Sequence, residues 1–375
     1  MIYRISIAAL LITTFASCSV VRGQELVRVR GDQVEMVWAV SGGALISFRF
    51  VDELTNPLNF EIPTGEQKTG YATSLRGHFM CLDRWGAPSK AEEMHGIPFH
   101  GEAPRVTWVI DQTPIDSTQG IVAKMSCVMP LAAMRVNRTV VLDQASSVAL
   151  VTEQVSNTHH LARIYNLVQH PSIAPPFLND GTLIDSSAEV GFAQDRPLPT
   201  MRAGANRWPT VSLAKGDVDL RRFRDAPGNE SEHDVSSFTL SKKSDCGWVV
   251  ASSPQHQLLL GYVWRTAEYP WLNLWRYRAD GKLAARGLEF GTTGYHQPFP
   301  ILVRQRSILD QPLYEPLDAD ETVAKSYLCF LAHIPQDFQG VASLELDANV
   351  IRLLERRAKD PREITVRTTL ALPTP

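Results

Sequence analysis

The chain has 375 residues, 44% of them hydrophobic and 21% charged, with a formal net charge of -3. That composition fits a globular chain long enough for one large domain or two medium ones. With no basic stripe interleaved with aromatics, nucleic acid has no electrostatic footprint, and the 24 prolines and 23 glycines are scattered punctuation, not low-complexity tracts.

Residues 1–4 carry one positive charge, residues 5–16 form an apolar run broken only by small hydroxyl residues, and small residues lead to Gly23. This layout predicts a secretory signal over 1–23, too short to span a bilayer, with 24–375 exported as a single domain to the periplasm or the extracellular space. The sequence Phe15-Ala-Ser-Cys18 loosely resembles a lipoprotein box and offers Cys18 as an alternative lipid anchor. No other stretch is apolar enough to cross a membrane, and nothing in the sequence sets the oligomeric state.

Short segments rich in Val, Ile, Leu, Phe and Trp follow at 34–40, 46–51, 106–110, 148–155, 258–264 and 303–309, several with period-two alternation. Only 348–359 reads as a helix, on Leu353-Leu354 followed by Glu-Arg-Arg. Many strands with closely spaced turns predict an all-β fold, a large antiparallel β-sandwich with few short helices. The polar, Pro/Gly-rich stretch 196–232 reads as long loops over one face. Cys81, Cys127, Cys246 and Cys329 form no Cys-x-x-Cys pair, so zinc and thioredoxin-type chemistry have no support. In an exported chain they allow up to two disulfides, with buried free thiols the equal alternative.

Four stretches carry polar groups where a plain strand needs none. "FHGEAPRVTW" (99–108) sets His100, Glu102 and Arg105 around a glycine turn at a strand mouth. In "IYNLVQHPSIAPPF" (164–177), Pro171 is expected to stop the strand and leave His170 on a rim, in extended backbone. "YPWLNLWRY" (269–277) puts Trp271 and Trp275 four apart on one strand face, either as core or as a flat platform for sugar rings. In "ARGLEFGTTGYHQPFP" (285–300), Glu289 interrupts an apolar run, where desolvation would raise its pKa towards that of a useful general base. His95, His100, His159 and His160 match no metal-ligand spacing, so no metal site is expected.

Together these motifs resemble the aldose 1-epimerases, or galactose mutarotase-like proteins, most of all the branch that includes the hexose-6-phosphate epimerases. "HGEAPRVTW" is similar to the family's His-Gly-…-Arg-…-Trp segment, and "SLRGHFMCLD" (74–83) to the Arg-Gly-Gly ahead of it. "VSNTHHLARIYNLVQHP" looks like its Asn-…-His-Pro stretch, and "YPWLNLWRY" with "GLEFGTT" like its Pro-x-Leu-x-x-Trp strand and base-bearing Glu. The order holds from about residue 34 to residue 331. The resemblance implies His170 as general acid and Glu289 as general base, with Arg76, His100, Arg105, Trp271 and Trp275 binding a carbohydrate substrate. The family's sugar-binding aspartate has no clear counterpart, with Asp225 and Asp234 the candidates. Mutarotation of a free sugar needs acid/base ring opening and no cofactor. The alternatives are a phosphosugar epimerase, favoured by Arg76 and Arg105, and a non-catalytic carbohydrate-binding sandwich. A glycoside hydrolase would want a second carboxylate.

Overall fold

The computed structural model describes residues 25–63, 72–226, 228–229, 231–241 and 244–374; the expected signal segment and Cys18 lie outside them. Among the described residues an 11-stranded and an 8-stranded antiparallel sheet enclose a common hydrophobic core. The first sheet runs in space Leu26–Arg30, Val34–Ala39, Leu45–Phe50, His78–Asp83, Arg163–Ile173, Lys282–Gly291, Trp271–Ala279, Glu232–Leu240, Ala188–Ala193, Asn206–Arg207, and its eleventh strand, Glu315–Leu317, pairs with Arg163–Ile173 off this path. Its middle strands are covered on both faces, which is why they read as apolar runs and not as clean alternations. The expected all-β sandwich is the architecture observed.

A buried polar network ties the two sheets together. Glu153 pairs with Arg138 at 2.7 Å and accepts from Gln169 Nε2 at 2.5 Å, and Gln169 Oε1 meets His78 Nε2 at 3.1 Å. Trp38 and Trp108 stack on the Arg138 guanidinium, so this buried charge is both paired and sandwiched. Gln169 neighbours His170 on the same strand, with its side chain on the opposite sheet face.

Three local expectations are corrected. Residues 348–359 hold a strand, Val350–Glu355, in a small sheet with Val341–Asp347 and Glu363–Arg367. Leu353 is fully buried while Leu354 is 39% exposed, so the leucine pair straddles two sheet faces and marks no helical stripe. The segment 303–309 is not one strand: Pro298 caps a short helix, Phe299–Gln305, in which Pro300 occupies a position that needs no N–H, and only Ser307–Ile308 is extended, paired with Gln311–Pro312. The strand expected at 106–110 begins only at Val109, because Val106 turns back to accept from Gly42 N–H. The stretch 196–232 contains the hairpin Thr210–Leu213/Gly216–Asp219 between its loops. Cys81, Cys127, Cys246 and Cys329 are all free thiols, with no disulfide among the described residues. No helix there is long and apolar enough to cross a membrane.

Candidate active site

The site sits on the middle of the 11-stranded sheet, and strand register builds it. Arg163–Ile173 pairs with Lys282–Gly291 at Val168↔Gly291, Gln169↔Phe290, Ser172↔Gly287 and Ile173↔Arg286. The same register sets His170 opposite Glu289. The ladder is interrupted there because Pro171 has no N–H to donate. The strand does not stop at Pro171, as the sequence suggested: it runs on to Ile173, and His170 is 4% exposed in mid-sheet. Directly opposed residues share a face, which delivers the imidazole to the carboxylate, His170 Nε2 to Glu289 Oε1, at 3.1 Å.

Both partners are held. His170 Nδ1 lies 3.0 Å from Ser172 Oγ, and its ring stacks on Phe79 at 4.2 Å. Phe79 is its register partner on the other neighbouring strand. Glu289 Oε2 accepts a 2.7 Å hydrogen bond from Trp85 Nε1. Two residues away along the same face, Gly287 leaves space: a Cβ there would lie 2.5 Å from Glu289 Oε1.

The turn that opens the sequence motif is buried, not exposed. His100 is 5% exposed with φ +67, and its Nδ1 accepts from Gly86 N–H at 3.0 Å while its own N–H donates to Gly86 O. The accepting Nδ1 leaves the ring proton on Nε2 in the neutral form. Gly101 must be glycine: φ is +76 and a Cβ would sit 1.9 Å from Leu82 O. Glu102 turns away from the site and accepts from Ala132 N–H at 2.7 Å, so it secures the turn.

These groups line a cavity of about 260 Å³. Its polar members are His100, Arg105, His170, His233, Glu289 and His296; its walls are Phe60, Phe79, Trp85, Phe99 and Trp275, with aliphatic side chains between. Burial pushes the Glu289 carboxyl well above its usual range, and the Trp85 N–H opposes this only in part. Burial lowers His170 to about 3 and His296 to about 4. His100 is drawn down by burial first and by His170, His296 and Arg105 next. Burial thus favours the uncharged form of each partner, a protonated carboxyl beside a neutral imidazole. Moving that proton across 3.1 Å gives a carboxylate and an imidazolium.

Of the residues singled out from sequence, His100, Arg105, His170, Trp275 and Glu289 meet at this cavity. Trp271 does not. It is fully buried in a cluster with Val190, Phe192 and Leu302, and donates to Pro312 O at 2.8 Å. Arg76 stands outside the cavity lining, in register with Glu61. Asp225 binds Lys282 and Asp234 binds Arg276, each at 2.8 Å, and neither reaches the cavity. Sequence reasoning missed Phe79, Trp85, Gly287 and His296. The signal for His296 was its place seven residues after Glu289; Trp85-Gly86 gave none, since its partner is 204 residues away. Among the described residues no group of three or more His, Cys, Asp or Glu could hold a metal.

Solved structures with the same architecture include a candidate aldose 1-epimerase from Klebsiella pneumoniae, at TM-score 0.56 and 15% identity over 80% of this chain and 77% of that one. A galactose mutarotase-like protein from Clostridium acetobutylicum aligns at TM-score 0.57 and 12% identity, over 83% and 96%. This chain has the galactose mutarotase-like fold. A second candidate aldose 1-epimerase, from Escherichia coli K12, aligns at TM-score 0.55 and 14% identity, over 83% of this chain and all of the other. No protein-family model and no curated protein matches the sequence. At such identities the likeness carries the galactose mutarotase-like fold alone, and function is argued from the site.

Proposed function

We propose that this protein interconverts the anomers of a cyclic hemiacetal sugar by acid/base ring opening, as an exported enzyme. The observation that carries the reading is the 3.1 Å contact between His170 Nε2 and Glu289 Oε1 at the wall of a ring-sized cavity. Ring opening takes a proton from the anomeric hydroxyl and gives one to the ring oxygen. Both oxygens are bonded to the same carbon, so the base and the acid must be immediate neighbours. In the ionised form of the pair, Glu289 takes the hydroxyl proton and His170 protonates the ring oxygen. The aldehyde then turns about the C1–C2 bond and recloses on its other face by the reverse transfers. The pair is returned with its single proton, and no other reactant is consumed.

The surroundings suit each step. Trp85 N–H steadies the carboxylate form, and Ser172 Oγ holds His170 Nδ1 so that Nε2 faces the substrate. His100 Nε2–H and the Arg105 guanidinium are the donors placed to hold substrate oxygens. Each positioned proton transfer contributes roughly 10²–10⁴-fold. Polarimetry of freshly dissolved α-anomers, wild type beside Glu289→Gln, tests the reading. Acceleration by wild type, reduced at least ~10²-fold in the variant, supports it. Equal acceleration by both proteins rejects Glu289 as the base.

A further inference from the structure

The strand register that builds the catalytic pair continues past it along the same sheet face. Asn273 pairs with Glu289, Trp275 with Gly287 and Tyr277 with Ala285. Trp275 therefore lies one step, and Tyr277 two steps, along that face from the catalytic carboxylate. Two steps are four residues, or roughly 13 Å of strand. Trp275 lines the cavity of about 260 Å³ that holds His170 and Glu289. Tyr277 lines a second cavity of about 450 Å³, and Phe60 and Ile62 belong to the walls of both, so the two meet at these side chains. The Trp275 and Tyr277 rings lie 5.8 Å apart between centroids, with planes 9° from parallel.

The second cavity combines an aromatic ring with aliphatic side chains and polar groups at its edge. Beyond Tyr277 the ladder steps from Ala285 to Leu283, and this bulge leaves Ala284 as an extra residue that lines the cavity. Asn59 and Glu61 bring an amide and a carboxylate to its exposed side. Such a surface matches a pyranose, which has an apolar face of C–H groups and hydroxyls round its edge. Ring opening also fixes a direction. The anomeric carbon held by His170 and Glu289 must be unlinked, so a further sugar unit hangs from another ring carbon and leads away from the pair. The Tyr277 cavity lies where the strand leads away from that pair.

We propose that the site takes the reducing end of an oligosaccharide, with the terminal aldose in the catalytic cavity beside Trp275 and the adjoining unit in the second cavity against Tyr277. This rests on the epimerase reading for turnover but not for binding, so the experiment has two arms. In the first, NMR exchange compares maltose, cellobiose and gentiobiose with glucose, for wild type, Tyr277→Ala and Ala284→Leu, which adds bulk inside the second cavity. In the second, calorimetry compares methyl maltoside and methyl cellobioside with methyl glucoside, none of which can open. The expected results are a kcat/KM at least roughly tenfold higher for one or more disaccharides than for glucose, and a similar margin in binding for a methyl disaccharide. The disaccharide-to-glucose ratio should fall at least roughly tenfold in either variant that folds. A kcat/KM for glucose equal to or above that of every disaccharide overturns the proposal and leaves the epimerase standing. An unchanged ratio in a folded variant also overturns it. Tighter binding of a methyl disaccharide, lost in the variants, without acceleration of any sugar keeps the second subsite and rejects the epimerase.

Discussion

Gly287→Ala is the substitution that most sharply separates a poised carboxylate from a merely buried one. A Cβ on residue 287 would lie 2.5 Å from Glu289 Oε1 and 3.1 Å from Trp275 Cβ. Real Cβ contacts do not approach so closely, so the Glu289 carboxyl must give way by about 1 Å. It cannot do so and keep both the 2.7 Å bond from Trp85 and the 3.1 Å contact to His170. Misplacing a reacting group by about that distance costs on the order of 10²-fold in rate. Residue 287 lies in regular strand paired with Ser172 and Trp275, and alanine suits strand backbone, so folding should survive. The assay is anomer exchange by NMR beside thermal unfolding, with Gly204→Ala as control, since a Cβ there meets nothing within 4 Å. A folded Gly287→Ala protein of unchanged kcat/KM would refute the role given to Glu289's position.

Further outcomes follow from the same structure. Trp85→Phe removes the N–H that holds the Glu289 pKa down, so the alkaline limb of the kcat/KM profile should move to higher pH; an unmoved limb would detach Trp85 from the base. His78 is buried with its pKa lowered to about 3, so the unfolded chain binds more protons below pH 6.5. Its contribution to stability is therefore present above pH 6.5 and lost as pH falls towards 3, by about 2 kcal/mol between pH 7 and 5. Urea unfolding of His78→Asn at the two pH values should show that much less acid sensitivity than wild type, and an identical slope would contradict the cause. Trp271→Phe loses the bond to Pro312 O and should cost about 1–3 kcal/mol of stability with KM unchanged. A raised KM at unchanged stability would return Trp271 to the binding site.

The strands were legible because alternation and turns are local. Val34–Ala39 and Leu258–Arg265 could be read from a dozen residues, and His170 and Glu289 stood out as polar groups inside apolar runs. What could not be read was set by register across distant strands. Trp271 and Trp275 are equivalent in sequence, yet the period-two alternation of a strand says nothing of the cover that Leu302 and Leu313 lay over one and not the other. Pro171 looked like a strand end because a proline spoils a ladder; a gap of two residues in one ladder absorbs it. The 348–359 stretch misled for the opposite reason, since adjacent leucines suit a helix stripe or two strand faces equally.

The most direct test of the proposed chemistry is selective-inversion NMR of anomer exchange in glucose and in galactose, across pH, for wild type, Glu289→Gln and His170→Asn. The shared proton predicts exchange that wild type catalyses between a limb near pH 3, where His170 charges, and an upper limb above the usual carboxylate range. Each single variant should lose at least ~10²-fold at the plateau. Exchange that persists in Glu289→Gln with the wild-type pH profile would contradict acid/base catalysis by this pair.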